Sequence, residues 1–309
     1  MLAEGGFAEY ALLTTPRAES ALPAISEAAG EAVRVPAGKV DEVSAELFSR
    51  VPERPLVALG GGRVIDTAKA IAGTRDGRCA AIPTTLSGAE LTPFHRTPKG
   101  VDAARLVRPE LVIADPELMA SQPLTTLAAS AMNALAHAME ALVTPLASPV
   151  PSLAAIRAAE LIESALPRDD PDRDMLALGG LLAGYASGCA GIAVHHALCQ
   201  TIVRTCGTPH AETNAVMLPH TAAFLAPRAP GALGDLARAL RDPEGDPGSA
   251  AGRASKLAAR CGHVRLGSLG VESIPDGLVE SVLQHPALHN TPGGAPGSEQ
   301  LLRLVESAL

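Results

Sequence analysis

The chain reads as a parallel α/β domain over residues 1–121 followed by an all-helical domain over residues 122–309. Three observations predict this. Short apolar runs alternate with helix-period segments as far as residue 121. The strand-like runs then stop. The remainder is a series of helical segments punctuated by Pro145, Pro151, Pro167, Pro219 and Pro227. At 309 residues the length is that of about two domains, and 47 % hydrophobic against 19 % charged residues describes a globular chain.

Taken in order, Tyr10–Thr14 reads as a strand, with a turn at Thr15-Pro16 and a helix to about Ala29. Val33–Val35 is a second short strand and Val40–Val51 alternates at helical spacing. Pro55–Leu59 is a buried strand broken by Gly60, Gly61 and Gly62. Arg63–Ala72 then places Val64, Ile65, Ala68 and Ile71 on one helix face. Cys79–Ile82 ends at Pro83, and Leu111–Ala114 closes at Asp115-Pro116. The helical half reads as Thr125–Val143, Ser152–Leu166, Met175–Ala190, Ala193–Arg204, Pro209–Leu218, Leu233–Leu240, Ala250–Cys261 and a terminal helix from Glu299. Two such domains leave a cleft, where ligands usually bind.

Composition removes several function classes. Aromatic residues are 2 % with no Trp, the net charge is -8, and the arginines form no basic block, so nucleic acid is excluded as a partner. No uninterrupted apolar run reaches about 18 residues, so no membrane span is expected. Five cysteines without a CxxC pair read as thiols of a reducing compartment, and the N-terminal stretch lacks a signal-peptide pattern. A cytoplasmic location and a homodimer are the base expectations.

Two stretches carry chemistry. Strand, three glycines, helix is a phosphate-cradling arrangement, because backbone without Cβ atoms approaches a pyrophosphate closely and the helix start offers free N–H groups. Asp66 lies in that helix, where it either meets a ligand or favours the first turn. Thr84, Thr85 and Ser87 follow the next strand end and face the same crevice. The second stretch is Val194–His220, which holds four of the nine histidines. Thr208 is expected to cap a helix with Pro209 at its first position. His210 then feels the positive end of the helix dipole, which disfavours its protonation. On the helix Thr125–Val143, a core face of Met132, Leu135, Ala136, Met139 and Val143 opposes Asn133, His137 and Glu140. Asn133 and His137 are neighbours one turn apart. Asn lacks the charge of a good transition-metal ligand. Singly, each histidine reads as readily as a core or surface residue; the cluster favours a site.

The segments GGGRVIDTAKAIA (60–72), PTTLSGAELTP (83–93), MNALAHAMEAL (132–142) and HHALCQTIVRTCGTPHAETNAVMLPH (195–220) together resemble the iron-containing alcohol dehydrogenase superfamily, and within it the maleylacetate reductase branch. The resemblance implies a Rossmann-like N-terminal domain and a dehydroquinate synthase-like overall fold. It implies that Gly60, Gly61 and Gly62 hold the pyrophosphate of NADH or NADPH, and that Thr84, Thr85 and Ser87 line the adenine and nicotinamide pocket. Lys99 corresponds to a lysine near the nicotinamide ribose. His137, His196 and His210 fall on metal-ligand positions. The fourth ligand there is Asp, and here it is Asn133; a histidine expected four residues after His196 is Gln200. Both departures disfavour a divalent metal.

Thr14, at the end of the first strand, is a further cofactor contact; no carboxylate stands there to select NADH, and Arg17 is near enough in sequence to tolerate a 2′-phosphate. The expected activity is NAD(P)H-dependent reduction of maleylacetate or a related small oxo-dicarboxylate anion. His196 would serve as chief proton donor or polariser, with His137 and His210 orienting the substrate. Two other readings stay open: a metal-dependent alcohol dehydrogenase using the three histidines, and a nucleotide-binding member without turnover.

Overall fold

The computed structural model describes all of residues 1–309, in two compact units, Met1–Gln122 and Pro123–Leu309. The first is built on a five-stranded parallel sheet in the order β2-β1-β3-β4-β5, with β1 Ala11–Thr14, β2 Glu31–Arg34, β3 Leu56–Gly60, β4 Cys79–Pro83 and β5 Leu111–Val112. Strands β1, β3 and β4 are buried throughout and, Thr14 aside, apolar, as expected where both faces are covered. Period-two alternation divides them between two cores. Ala11, Leu13, Leu56, Ala58, Cys79 and Ala81 pack on Val43 and Leu47 of α3 (Val40–Leu47) and on Val64, Ile65, Ala68 and Ile71 of α4 (Gly62–Thr74). Leu12, Val57, Leu59, Ala80 and Ile82 pack against Ala18 of α1 (Pro16–Ala21), with Ile25 of α2 (Pro23–Glu27) and Phe7 beside them. The single helix read through Ala29 is therefore two short ones. Pro23 forces the break, because a proline disfavours helical backbone in the residue before it, here Leu22.

After the four-residue helix α5 (Pro116–Met119), the second unit is entirely helical. Its centre is α6 (Leu124–Val143), packed by α7 (Pro149–Ala165), α8 (Arg173–Ala190) and α10 (His210–Leu225). Helix α9 (Val194–Cys206) ends at Gly207 in the left-handed region and runs beside α10. Two expectations change at α10. Its N-cap is Pro209, whose side chain caps nothing, while Thr208 is buried and accepts from the Thr213 hydroxyl at 2.8 Å. The helix also does not stop at Leu218 but continues through Pro219 to Leu225. Helices α11 (Pro230–Ala239), α12 (Ser249–Ala258), α13 (Leu278–Leu283) and α14 (Ser298–Ala308) complete the unit, with short 3-10 turns at Leu266–Leu269 and Pro286–Asn290. No single helix is long and apolar enough to cross a membrane.

Candidate active site

In the sheet unit, the strand order reverses at β1/β3, which opens a crevice at the carboxyl ends of those strands. Thr14 ends β1 and Gly60 ends β3, and Gly61 is the N-cap of α4 without any side-chain cap. The start of α4 therefore offers uncapped backbone N–H groups to an anion. A side chain at any of the three would crowd the turn. A Cβ on Gly60 would come within 2.8 Å of Val64 Cβ, and one on Gly61 within 2.8 Å of Thr85 Cγ2. A Cβ on Gly62 would sit 3.1 Å from Ser87 Oγ. Thus Thr85 and Ser87 lie directly against the turn, as the sequence spacing suggested. The Thr85 hydroxyl is buried with no hydrogen-bond partner. This cradle fits a dinucleotide pyrophosphate.

The other expected contacts are placed differently. Thr14 is fully buried, and its hydroxyl reaches only the Thr15 carbonyl, at 3.4 Å. Thr84 accepts from Arg17 Nη2 at both its hydroxyl and its carbonyl, at 3.2 Å, and Arg17 Nη1 donates to Ser121 Oγ at 2.9 Å. Arg17 is therefore a brace of the β4 end. Asp66 pairs with Lys69 at 2.8 Å; the ammonium, fully buried, also donates to the Ala89 and Phe94 carbonyls. That arrangement ties the loop after β4 to α4. Lys99 is exposed, and its backbone N–H donates to the Asp41 carbonyl at the start of α3.

In the helical unit, α6 and α9 bring His137 and His196 face to face, with ring centroids 4.1 Å apart and planes 18° from parallel. The residue that organises them is Glu140, a fully buried carboxylate one turn beyond His137. Its Oε1 accepts from the backbone N–H of His195 at 2.7 Å and of His196 at 3.3 Å. Its Oε2 accepts from His196 Nδ1–H at 2.7 Å. These bonds satisfy the open N-terminus of α9, which has no side-chain cap of its own, and they fix the His196 tautomer. His196 Nε2 is left as a buried acceptor with no partner. Asn133 Oδ1, one turn before His137, is likewise buried and unpartnered. Two such atoms in a close-packed helical core are costly unless a polar ligand meets them.

Burial holds both adjacent rings neutral. It pushes His196 down to about 3, with charge on His210 and His285 acting the same way. His195 is also pushed down to about 3, chiefly by burial. His195 Nε2–H donates to Asn214 Oδ1 at 2.9 Å, and its Nδ1 accepts from the Thr221 hydroxyl at 2.8 Å. Asn214 Nδ2 in turn donates to the His210 carbonyl at 2.7 Å and to His210 Nε2 at 3.3 Å. His210 is thus exposed at the first turn of α10 but anchored through Asn214 to the buried His195.

Glu140 and His285 take part without having been predicted site residues. Glu140 was visible on the same face as Asn133 and His137, and its spacing was the available signal. His285 lies outside any periodic segment; Ala287 N–H donates to its Nδ1, and its Nε2–H donates to Gln200 Oε1 at 3.2 Å.

Iron or zinc is a poor fit to these side chains as placed. Imidazole lone pairs lie in the ring plane, so an ion coplanar with one stacked ring is far out of the plane of the other. Asn133 contributes no charge, and no group of three or more His, Cys, Asp or Glu is arranged around a common point.

A family model for the C-terminal part of the Fe-containing alcohol dehydrogenases matches residues 127–308. The chain is 33 % identical to a maleylacetate reductase of Sphingobium indicum over 89 % of its own length and 80 % of that protein's. It is 37 % identical to maleylacetate reductase 1 of Rhodococcus opacus, where the match spans 68 % of this chain and only 62 % of the relative. The crystal structure of maleylacetate reductase from Rhizobium sp. strain MTP-10005 superposes with a TM-score of 0.83 at 29 % identity, covering 100 % of this chain and 91 % of that one.

Proposed function

Because the chain belongs to the Fe-containing alcohol dehydrogenase family, we propose that it is an NAD(P)H-dependent reductase of maleylacetate, or of a related oxo-dicarboxylate, that works without a metal. One observation carries this reading: a buried His196 whose Nδ1–H is fixed on Glu140 and whose Nε2 is unpartnered, stacked on His137 where Asn133 supplies an amide instead of a carboxylate. The maleylacetate reductase relatives support the substrate class.

The bound nicotinamide supplies the hydride; Gly60, Gly61, Gly62, Thr85 and Ser87 are the residues that would hold its dinucleotide. Maleylacetate is a dianion with a ketone conjugated to a C=C bond. Reduction at the alkene carbon β to the ketone places negative charge on the ketone oxygen, and the α carbon then takes a proton. A neutral His196 with Nε2 bare has no proton to give. An arriving dianion favours the imidazolium, and Glu140 stabilises it, so His196 takes up a proton as substrate binds and delivers it from Nε2. His137 and His210 orient the carbonyl and carboxylates. The neutral Asn133 spares the substrate a repulsion that, for one charge pair ~4 Å apart at an effective dielectric of ~20, is on the order of 4 kcal/mol.

The test follows NAD(P)H absorbance with maleylacetate and a panel of aldehydes, on protein purified without chelator and analysed for metal. Turnover of maleylacetate by metal-free protein supports the proposal. Near-stoichiometric iron or zinc with turnover only of simple alcohols and aldehydes favours the metal-dependent reading instead, and binding without any turnover favours a nucleotide-binding protein.

A further inference from the structure

We propose that Arg34 recognises the phosphate on the adenosine ribose of the cofactor, so that NADPH rather than NADH is the preferred hydride donor. The inference rests on the dinucleotide reading of the sheet unit and sharpens it. In the parallel register, Arg34 at the end of β2 stands opposite Thr14, and Thr14 stands opposite Leu59, next to Gly60. Neighbouring strands are about 4.8 Å apart, so the Arg34 backbone lies roughly 10 Å across the carboxyl edge from the glycine turn. That span is about what an adenosine ribose occupies when the pyrophosphate sits in the turn, so Arg34 stands at its far side.

The surroundings favour a phosphate over a bare ribose hydroxyl. Neither strand end carries a carboxylate, and the loop Val35-Pro36-Ala37-Gly38-Lys39 adds a cation. The acid that meets Arg34 is Glu19, in the first turn of α1, and it is already engaged. It accepts from Arg34 Nε at 3.1 Å and from Ser26 Oγ at 3.0 Å. That single bond holds the guanidinium at the carboxyl edge while both Nη groups make no hydrogen bond, and the side chain is 68 % exposed. A planar fork with two outward donors is what binds a phosphate in bidentate fashion. Arg17 is unsuited to the role, because its Nη groups are engaged by Ser121 and Thr84.

The experiment is calorimetric titration of the intact protein with 2′,5′-ADP and with 5′-AMP, which differ only in the 2′-phosphate. Wild-type protein is expected to bind 2′,5′-ADP at least about tenfold more tightly. Arg34→Ser should erase that margin while leaving 5′-AMP binding unchanged, and Arg50→Ala should preserve it. Equal affinities in the wild type, a parallel loss of both ligands in Arg34→Ser, or no binding of either nucleotide overturns the inference. These fragments lack the nicotinamide and no substrate is present, so this result is independent of whether maleylacetate is reduced.

Discussion

The two units present polar groups to a ligand by opposite means. In the sheet unit the crevice at the glycine turn is mostly backbone: three residues without side chains, an uncapped helix start, and hydroxyls packed against them. In the helical unit the proposed reactive atoms are side chains sunk into an apolar core, where His196 is 1 % exposed and Glu140 fully buried. The first arrangement tolerates water and grips by shape. The second excludes water, so each charge and each unpartnered atom weighs heavily. Rate should therefore depend on the helical unit and cofactor affinity on the sheet unit, and substitutions should separate the two.

The largest effect is expected from His196→Ala, which removes the proton-carrying nitrogen. Turnover should fall by about 10²–10⁴-fold with little change in NAD(P)H affinity, and unchanged steady-state turnover would remove His196 from its proposed role. Glu140→Gln comes next. An amide keeps one acceptor but need not hold Nδ1–H, so a loss of about 10–100-fold is expected. Nitrogen-15 NMR of the imidazoles should show a mixed His196 tautomer; a retained tautomer with full activity would make Glu140 purely structural.

Acid should act on the units in opposite directions. His195 and His196, near 6.5 when unfolded and about 3 when folded, contribute stability to the helical unit that is present above pH 6.5 and lost as pH falls toward 3. Both rings together correspond to a loss of up to about 3 kcal/mol per pH unit. Glu140, raised by burial, offsets part of this loss. In the sheet unit Glu90 is raised to about 7 by burial, so its contribution is present below about 4.5 and lost as pH rises through 7. Protection factors for hydrogen exchange should fall on α6 and α9 between pH 6.5 and 4.5, while those on β3 and β4 should rise; movement in the same direction would break the contrast. The smallest effect belongs to Gly61→Ala, whose Cβ meets Thr85. It should raise the KM for NAD(P)H by about tenfold and leave kcat nearly intact, and an equal loss of kcat would mean that the turn does more than bind.

The same contrast explains what the sequence revealed. The sheet unit was legible because its signals are local: apolar runs of strand length, glycines at a strand end, hydroxyls at the next. In the helical unit His137, His196 and His210 could be nominated, but the burial of Glu140 could not. Helix α6 is packed on nearly every side, so periodicity no longer divides a core face from a wet one. The sequence places Glu140 on a polar face, whereas in the fold it is the acceptor for the start of α9. Asn214 lies one helical turn from His210, but its bond to His195, like that of Gln200 with His285, is tertiary, and no spacing rule encodes it. Pro219 read as a terminator, and the tertiary packing of α10 overrode it.

That proline has a mechanical consequence. Lacking an N–H, Pro219 removes the bond to the Ala215 carbonyl and crowds the preceding turn, so the ladder of α10 is weakest at its middle. Its leading arm carries His210 and Asn214; its trailing arm is fastened to the C-terminal helix through His220 and Ser307. The missing rung thus falls between the arm that bears the exposed imidazole and the arm tethered to the chain's last helix.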